Sequence, residues 1–339
     1  MQLNLAIYGY DSEIGKLVTD YLDHSPIEFG TITPLSPLAG EFDAVRIKGR
    51  NWLITSIHDY ECHDTDIFLA LCPPDETARL SAFLGQLPCF VVDSSGHVPA
   101  GSNSRVIIPR INGDELMGEG GCRYIRVANS MTTQLALTLA PLHDEFGVRT
   151  VHASALVSVS EFGMLGTEGL AGEAIALFNG SAPDNSPFAV QQAFNLINQI
   201  GSLNGDVTVF EQEIVSQIVE LYPELQGKLS LYCIQVPIFY GHCIIVNAEL
   251  EEPAGSLQRI RDCLAQSSLI KMCDDQEELI TPVTHLQNED KILISRMKLL
   301  PYSPRALSFM AFMDNARVGM ALSCVEIIEQ LAEKIKRFA

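Results

Sequence analysis

Leu3-Asn4-Leu5-Ala6-Ile7-Tyr8-Gly9-Tyr10-Asp11-Ser12-Glu13-Ile14-Gly15 decides how the chain begins to fold, and Lys16-Leu17-Val18-Thr19-Asp20-Tyr21-Leu22 continues it. The first six residues are a short, largely apolar run of strand length. The last seven carry apolar side chains at helical spacing. Between them Gly9, Ser12 and Gly15 match a G-x-x-G-x-x-G turn with its middle glycine replaced. Strand, glycine turn and helix form the opening of a dinucleotide-binding unit. Glycine there lets the backbone approach a pyrophosphate, and the helix N-terminus around Ser12, Glu13 and Ile14 supplies N–H donors. Ser12 adds a Cβ and a hydroxyl at the tightest point. Asp11 and Glu13 add negative charge beside the expected phosphates, each like-charge pair at about 6 Å costing on the order of 1 kcal/mol. The turn therefore reads either as a weakened anion cradle or as a plain connector.

The alternation continues outward. Residues 66–71 and 89–93 are buried-strand candidates, with a helix expected over 76–87 and a turn at Ser94-Ser95-Gly96. Where an acid would hold a ribose hydroxyl, or a base a 2′-phosphate, Ile32-Thr33-Pro34-Leu35-Ser36-Pro37 offers neither. The turn thus does not choose between NAD and NADP. In the second half, 148–159 is rich in β-formers. Helices are expected at 168–178, 188–200, 207–221 and 319–338, and strands at 229–236, 244–250 and 307–313. The expected fold class is α/β: an N-terminal Rossmann-type doubly wound parallel sheet, then a second α+β domain with a mixed sheet. The boundaries fall at 1–128 with 319–339, and 129–318.

Composition limits the function. The 339 residues are 47% hydrophobic and 19% charged, a globular balance with room for two domains. Lys+Arg 22 against Asp+Glu 42 gives 22 − 42 = −20, which repels phosphate backbones and anionic lipid. General nucleic-acid and membrane-surface binding is not expected on that ground, while a local basic pocket for one small anion stays open. No two of the nine cysteines form a Cys-x-x-Cys pair, and no metal site is expected. The opening residues carry no basic n-region, and no apolar run reaches about 18 residues. A reduced, cytoplasmic protein with free cysteines is the expectation. His58-Asp59-Tyr60-Glu61-Cys62-His63-Asp64 reads as a polar connector. Arg105 and Arg110 read as solvated residues flanking a strand at 106–109.

Several landmarks in order resemble the aspartate-semialdehyde dehydrogenase family. They are the glycine turn, Val91-Val92-Asp93-Ser94-Ser95, Ile107-Ile108-Pro109-Arg110-Ile111-Asn112, Ala128-Asn129-Ser130-Met131-Thr132-Thr133-Gln134, Pro141-Leu142-His143-Asp144-Glu145-Phe146-Gly147 and Asp314-Asn315-Ala316-Arg317-Val318-Gly319. Phe188-Ala189-Val190-Gln191-Gln192-Ala193-Phe194-Asn195-Leu196 and Cys233-Ile234-Gln235-Val236-Pro237-Ile238-Phe239-Tyr240-Gly241 look like its divergent Usg-like branch. The resemblance implies an NADP- or NAD-dependent oxidoreductase of amino-acid biosynthesis. It also implies a homodimer or tetramer whose second domain carries the catalytic residues and the dimer contact. Gly9, Ser12, Glu13, Ile14, Gly15, Ser94, Ser95, Gly163 and Asn315 stand where the family holds its nucleotide.

The family attacks an aldehyde or acyl phosphate with a cysteine thiolate, assisted by a glutamine and a histidine, while an arginine holds the substrate carboxylate. By resemblance the nucleophile position is Ser130, the histidine His242, the arginine Gln235 and the glutamine Val157. A glycine becomes Glu161, and Gly163 is retained. An alcohol is far less acidic than a thiol. Ser130 reads as a nucleophile or, by residue type, as the cap of a helix starting at Met131. Gln235 cannot neutralise a carboxylate as an arginine fork does, a loss of roughly 1–3 kcal/mol or more. His242 reads as a general base or a structural histidine. The expectation is a family member that has lost semialdehyde dehydrogenase activity and binds a small molecule or a partner. The alternatives are an NAD(P)-dependent oxidoreductase of altered specificity, using Ser130 or a water activated by His242, and a nucleotide sensor without turnover.

Overall fold

The computed structural model describes residues 2–38, 40, 43–96, 103–117, 122–273 and 278–338. The chain folds as two compact units, Met1–Asn129 with Met320–Ala339, and Ser130–Gly319.

The first unit is built on seven strands: β1 (Leu3–Tyr8), β2 (Phe29–Ser36), β3 (Thr55–Ser56), β4 (Ile67–Ala70), β5 (Phe90–Asp93), β6 (Ser104–Ile107) and β7 (Tyr124–Val127). Their order is β3-β2-β1-β4-β5-β7-β6, and every pairing is parallel. Helices α1 (Glu13–His24) and α2 (Pro74–Leu84) are among its crossovers. Leu5 and Ile7 of β1 pack with Val18 and Leu22 of α1 and with Ile327, Ile328 and Leu331 of the C-terminal helix Ser323–Phe338. The alternate residues Ala6 and Tyr8 pack on the other face with Phe68, Val91 and Leu84. A sheet covered on both faces needs apolar residues at every strand position, which is why these strands read as unbroken apolar runs.

One expectation for this unit is corrected. Pro109 does not end a strand; β6 stops at Ile107, and Pro109 opens the helical turn Pro109–Asn112, where its missing N–H costs nothing. Arg105 and Arg110 are exposed, as expected, and each meets an acid at the surface. Arg105 pairs with Glu115, and Arg110 Nε donates to Glu326 at 2.9 Å, tying the turn to the C-terminal helix.

The second unit holds α3 (Ser130–Phe146), β8 (Val148–Val157), α4 (Gly163–Phe178), α5 (Val209–Leu221), β9 (Leu229–Gln235), β10 (His242–Leu250), α6 (Leu257–Ala265), β11 (Ile270–Met272), β12 (Ile292–Leu299) and β13 (Ala306–Met313). Its sheet runs β9-β8-β10-β13-β12-β11. The central pairings are antiparallel, and the two edge pairings, β8 with β9 and β11 with β12, are parallel. The sheet is mixed.

No helix forms over 188–200. The backbone there is satisfied by other partners. Glu173 Oε2 on α4 accepts the N–H groups of Gln192 at 2.7 Å and Ala193 at 2.6 Å. Phe194 sits at φ +60°, and Ile197 exchanges both backbone hydrogen bonds with Gln235 at the end of β9. Helix α4 starts earlier than its apolar spacing suggests, at Gly163, whose φ of +59° and ψ of −150° suit only glycine. Helix α5 starts at Val209, because Thr208 and Glu211 form a reciprocal capping box. The final helix is preceded by wider turns over Asn315–Leu322.

Candidate functional site

Three strand ends and one helix start meet in the second unit. β8 ends at Val157 and leads into Ser158, Ser160 and Glu161. β10 begins at His242, which pairs with Met313, the last residue of β13. Asp314 and Asn315 follow Met313. Helix α3 begins at Ser130 and is held to β13 by Gln134 Nε2, which donates to the Ala311 carbonyl at 2.9 Å. Gly319 makes the approach possible: a Cβ there would lie 2.9 Å from Ser130 Cβ. Gly241, at φ +90°, turns the chain into β10 where a Cβ would strike Leu286.

At this junction one carboxylate oxygen joins two groups. Ser130 Oγ donates to Glu161 Oε2 at 3.0 Å. His242 Nε2 lies 2.9 Å from the same oxygen. His242 is fully buried, and its other nitrogen, Nδ1, receives the Ser158 backbone N–H at 3.2 Å. A backbone N–H only donates, so Nδ1 holds a lone pair and the ring proton is on Nε2, directed at Glu161. Ser158 Oγ is 3.0 Å from Nδ1 and 2.9 Å from Ser160 Oγ. Asn315 Oδ1 closes the network, accepting from Ser160 Oγ at 3.0 Å and from the Gly241 N–H at 3.3 Å.

The helix begins at Ser130 itself rather than at Met131, and the serine hydroxyl donates to Glu161. The acceptor beside that hydroxyl is Glu161, not His242. Val157 and Gln235 are neighbours in the β8–β9 register, both buried. Gln235 Nε2 has no hydrogen-bond partner. The cation on the strand-end segment, Arg317, is held by Asp290, its Nε 3.0 Å from Oδ1. Burial pushes the Asp314 carboxyl above its ordinary range. Two thiols are close in sequence. Burial pushes Cys243 up to about 12, and burial with Glu211 and Glu161 nearby pushes Cys233 higher still. Neither is a thiolate at neutral pH. Glu161 is the residue whose role sequence reasoning missed. The resemblance carried the signal, since it put Glu161 where the family has a glycine, four residues after Val157.

The glycine turn of the first unit keeps its shape. Gly9 lies at φ +84°, and a Cβ there would come within 2.7 Å of the Leu71 carbonyl oxygen; one on Gly15 would come within 2.2 Å of the Gly9 oxygen. Ser12 folds into the turn. Its Oγ donates to the Gly9 carbonyl at 2.7 Å and accepts the Gly15 N–H at 3.0 Å. The donor that would face a phosphate is thereby used, and Asp11 and Glu13 flank it. The turn has the backbone of a pyrophosphate cradle, with the Gly15 N–H already engaged and two acids beside it. Ser94 Oγ likewise bonds back, to the Ala70 carbonyl at 3.1 Å, and the Ser95 N–H bonds to Asp93 at 2.8 Å.

The family model "Semialdehyde dehydrogenase, dimerisation domain" matches residues 139–318. The chain belongs to the semialdehyde dehydrogenase family. Its relatives include aspartate-semialdehyde dehydrogenase 2 of Vibrio cholerae, 23% identical over 97% of this chain and 98% of that protein. A USG-1 protein homolog of Azotobacter vinelandii is 25% identical over 98% of each chain. Among solved structures, the aspartate semialdehyde dehydrogenase II of V. cholerae complexed with ASA superposes at a TM-score of 0.90, with 23% identity and coverage of 98% and 99%. The Candida albicans enzyme solved with NADP superposes at 0.72, with 15% identity and 99% coverage of both chains. Among the described residues no helix is long and apolar enough to cross a membrane.

Proposed function

We propose that this family member has kept the fold and a homodimer contact but has lost phosphorylating semialdehyde dehydrogenation. The observation that carries the reading is Glu161 Oε2, which stands 3.0 Å from Ser130 Oγ and 2.9 Å from His242 Nε2. A carboxylate in that place opposes both an anionic substrate and a developing anion at residue 130. The rest of the machinery agrees. Ser130 cannot form a thioester, Gln235 cannot neutralise a carboxylate, and Val157 offers no polar contact. His242 has its lone pair committed to Ser158, which weighs against an oxidoreductase that uses it as a base.

Because the Gly15 N–H is taken by Ser12 and two acids flank the turn, the reading includes weak NAD(P) binding, and no hydride step is assigned. The homodimer contact is assigned to the exposed apolar surface of α4, Met164, Leu165, Ile175 and Phe178, together with Phe194. The unit Ser130–Gly319 carries that contact, and the first unit keeps the nucleotide-domain fold.

The test is phosphate-dependent reduction of NADP and of NAD by aspartate semialdehyde. No turnover is expected from the wild-type protein. Turnover that disappears in Ser130→Ala would overturn the reading.

A further inference from the structure

In the first unit two free cysteines face each other. Cys62 Sγ lies 3.7 Å from Cys89 Sγ. Cys62 belongs to the connection 57–66 between β3 and β4, and Cys89 immediately precedes β5. A disulfide needs about 2.05 Å between sulfurs, so the pair must close by roughly 1.7 Å. The connection is held at its ends, by the Ile57 N–H on the Ser36 carbonyl at 3.1 Å and the Asp66 N–H on the Asn4 carbonyl at 2.9 Å, and the movement falls to the residues between. Asp59, Glu61, His63 and Asp64 on it are exposed, and it contains no strand or helix. Its inner anchor is Tyr60, whose ring packs 5.8 Å from Phe68 and 6.5 Å from Phe83. The two sulfurs differ in access: Cys62 is half-buried and Cys89 is buried.

We propose that Cys62 and Cys89 form a reversible disulfide when a peroxide oxidises the protein, pinning the connection 57–66 to the start of β5. The Cys62 thiolate attacks one peroxide oxygen, the O–O bond breaks, and Cys62 becomes a sulfenic acid as water leaves. The Cys89 sulfur then attacks the Cys62 sulfur, the S–O bond breaks, and a second water departs with the thiol proton. Two thiols and one hydrogen peroxide give one disulfide and two waters. The sulfurs are oxidised and the peroxide oxygens are reduced. A dithiol reverses the reaction by exchange. Burial pushes the Cys89 thiol up to about 12, so it waits protonated until its neighbour is oxidised. The connection also walls an open cavity of about 360 Å³, lined by Thr31, Thr33 and Thr55 from the sheet and Tyr60, Glu61 and His63 from the connection. Oxidation therefore fixes one wall of a polar cavity. None of this rests on the reading of Ser130, Glu161 and His242.

The full-length protein is treated with hydrogen peroxide, quenched with iodoacetamide, denatured, and digested without reduction for mass spectrometry. The expected product is a cross-linked pair of peptides carrying Cys62 and Cys89, lighter by two hydrogens and separated by dithiothreitol. It is absent from Cys62→Ser and retained in Cys122→Ser. Because Cys89 lies in the core, the wild-type map and Cys62→Ser carry the test without a Cys89 variant. Overoxidation of Cys62 with Cys89 still alkylated, or linkage of Cys62 to another cysteine or another molecule, overturns the proposal. Hydrogen exchange supplies the second readout. Amides of 57–66 should exchange more slowly in the oxidised protein, and unchanged exchange would overturn the pinning.

Discussion

Glu161 Oε2 lies 2.9 Å from His242 Nε2, and this contact decides how protons are arranged at the strand ends. With Nδ1 bonded to the Ser158 N–H, the imidazole has one proton and one acceptor already engaged. It presents to the Ser130 side of the site not a base but a donor already satisfied by a carboxylate. The lone pair of His242 is thus spent on the backbone.

The electrostatic consequence is testable with a thiol. In Ser130→Cys the new sulfur would stand beside the Glu161 carboxylate, which disfavours the thiolate. In Ser130→Cys with Glu161→Gly the carboxylate is gone and His242 Nε2 is released. The double variant should react with iodoacetamide at pH 7 about ten-fold faster than the single variant, equivalent to about one pKa unit or 1.36 kcal/mol. Equal rates would remove Glu161 from the explanation.

The doubly wound sheet was legible because a strand buried on both faces must be apolar throughout, as Leu5, Ala6, Ile7 and Tyr8 are. The family was legible from short motifs in order, and the mixed sheet followed from it. The segment 188–200 was not legible. Its apolar spacing is helical, but a fully buried Glu173, 19 and 20 residues before Gln192 and Ala193, takes their N–H groups, and no local pattern reports that. The three-residue strand β11 escaped for the same reason, since it exists by pairing with β12. At the site, the contact of Glu161 with Ser130 and His242 needed three elements brought together in space, which no local pattern reports.

Glu173 therefore makes a direct stability prediction. Glu173→Ala leaves the N–H groups of Gln192 and Ala193 without their acceptor, a loss of about 2–3 kcal/mol. The urea midpoint should fall, and amide exchange should accelerate over 188–200 before the rest of the unit. Glu173→Gln keeps an acceptor oxygen and should recover part of the loss. An unchanged midpoint in Glu173→Ala would show that the segment is held by other contacts.

Alkaline stability follows from the buried thiols. Cys243 and Cys324 are pushed by burial from an ordinary 9.0 to about 12. Below about pH 9 both folded and unfolded chains hold these protons, and the full stability is present. Between about 9 and 12 the unfolded chain releases them first, so stability falls as pH rises. Cys243→Ala should flatten that fall in a series of melting curves from pH 8 to 10.5, whatever it does to the absolute melting temperature. Parallel curves for variant and wild type would contradict the assignment.

The apolar surface of α4 tests the proposed homodimer. Phe178 is 81% exposed and packs edge-on to Phe194, itself 68% exposed, with centroids 5.6 Å apart. Large apolar side chains clustered on a surface are costly in water and suit a partner. Phe178→Glu should convert a dimer to a monomer by light scattering while circular dichroism is unchanged. A wild-type protein that is monomeric at micromolar concentration would refute the dimer outright.

Cofactor binding separates a spent nucleotide turn from a working one. Ser12 Oγ fills the Gly15 N–H at 3.0 Å, with Asp11 and Glu13 on either side. Titrating NADPH or NADH to millimolar concentration should produce no saturating rise in melting temperature. A ligand bound at a hundred times its Kd would add about 2.7 kcal/mol to the folded state and be plain in the melting curve. Ser12→Gly with Asp11→Asn frees the Gly15 donor and removes one charge. The cap lost with Ser12 costs only a few tenths of a kcal/mol, because glycine is tolerated at a helix start. That variant should bind NADPH more tightly than the wild type. Saturation of the wild-type protein at micromolar NADPH would mean that donors other than Gly15 hold the pyrophosphate, and the turn would have to be read as functional.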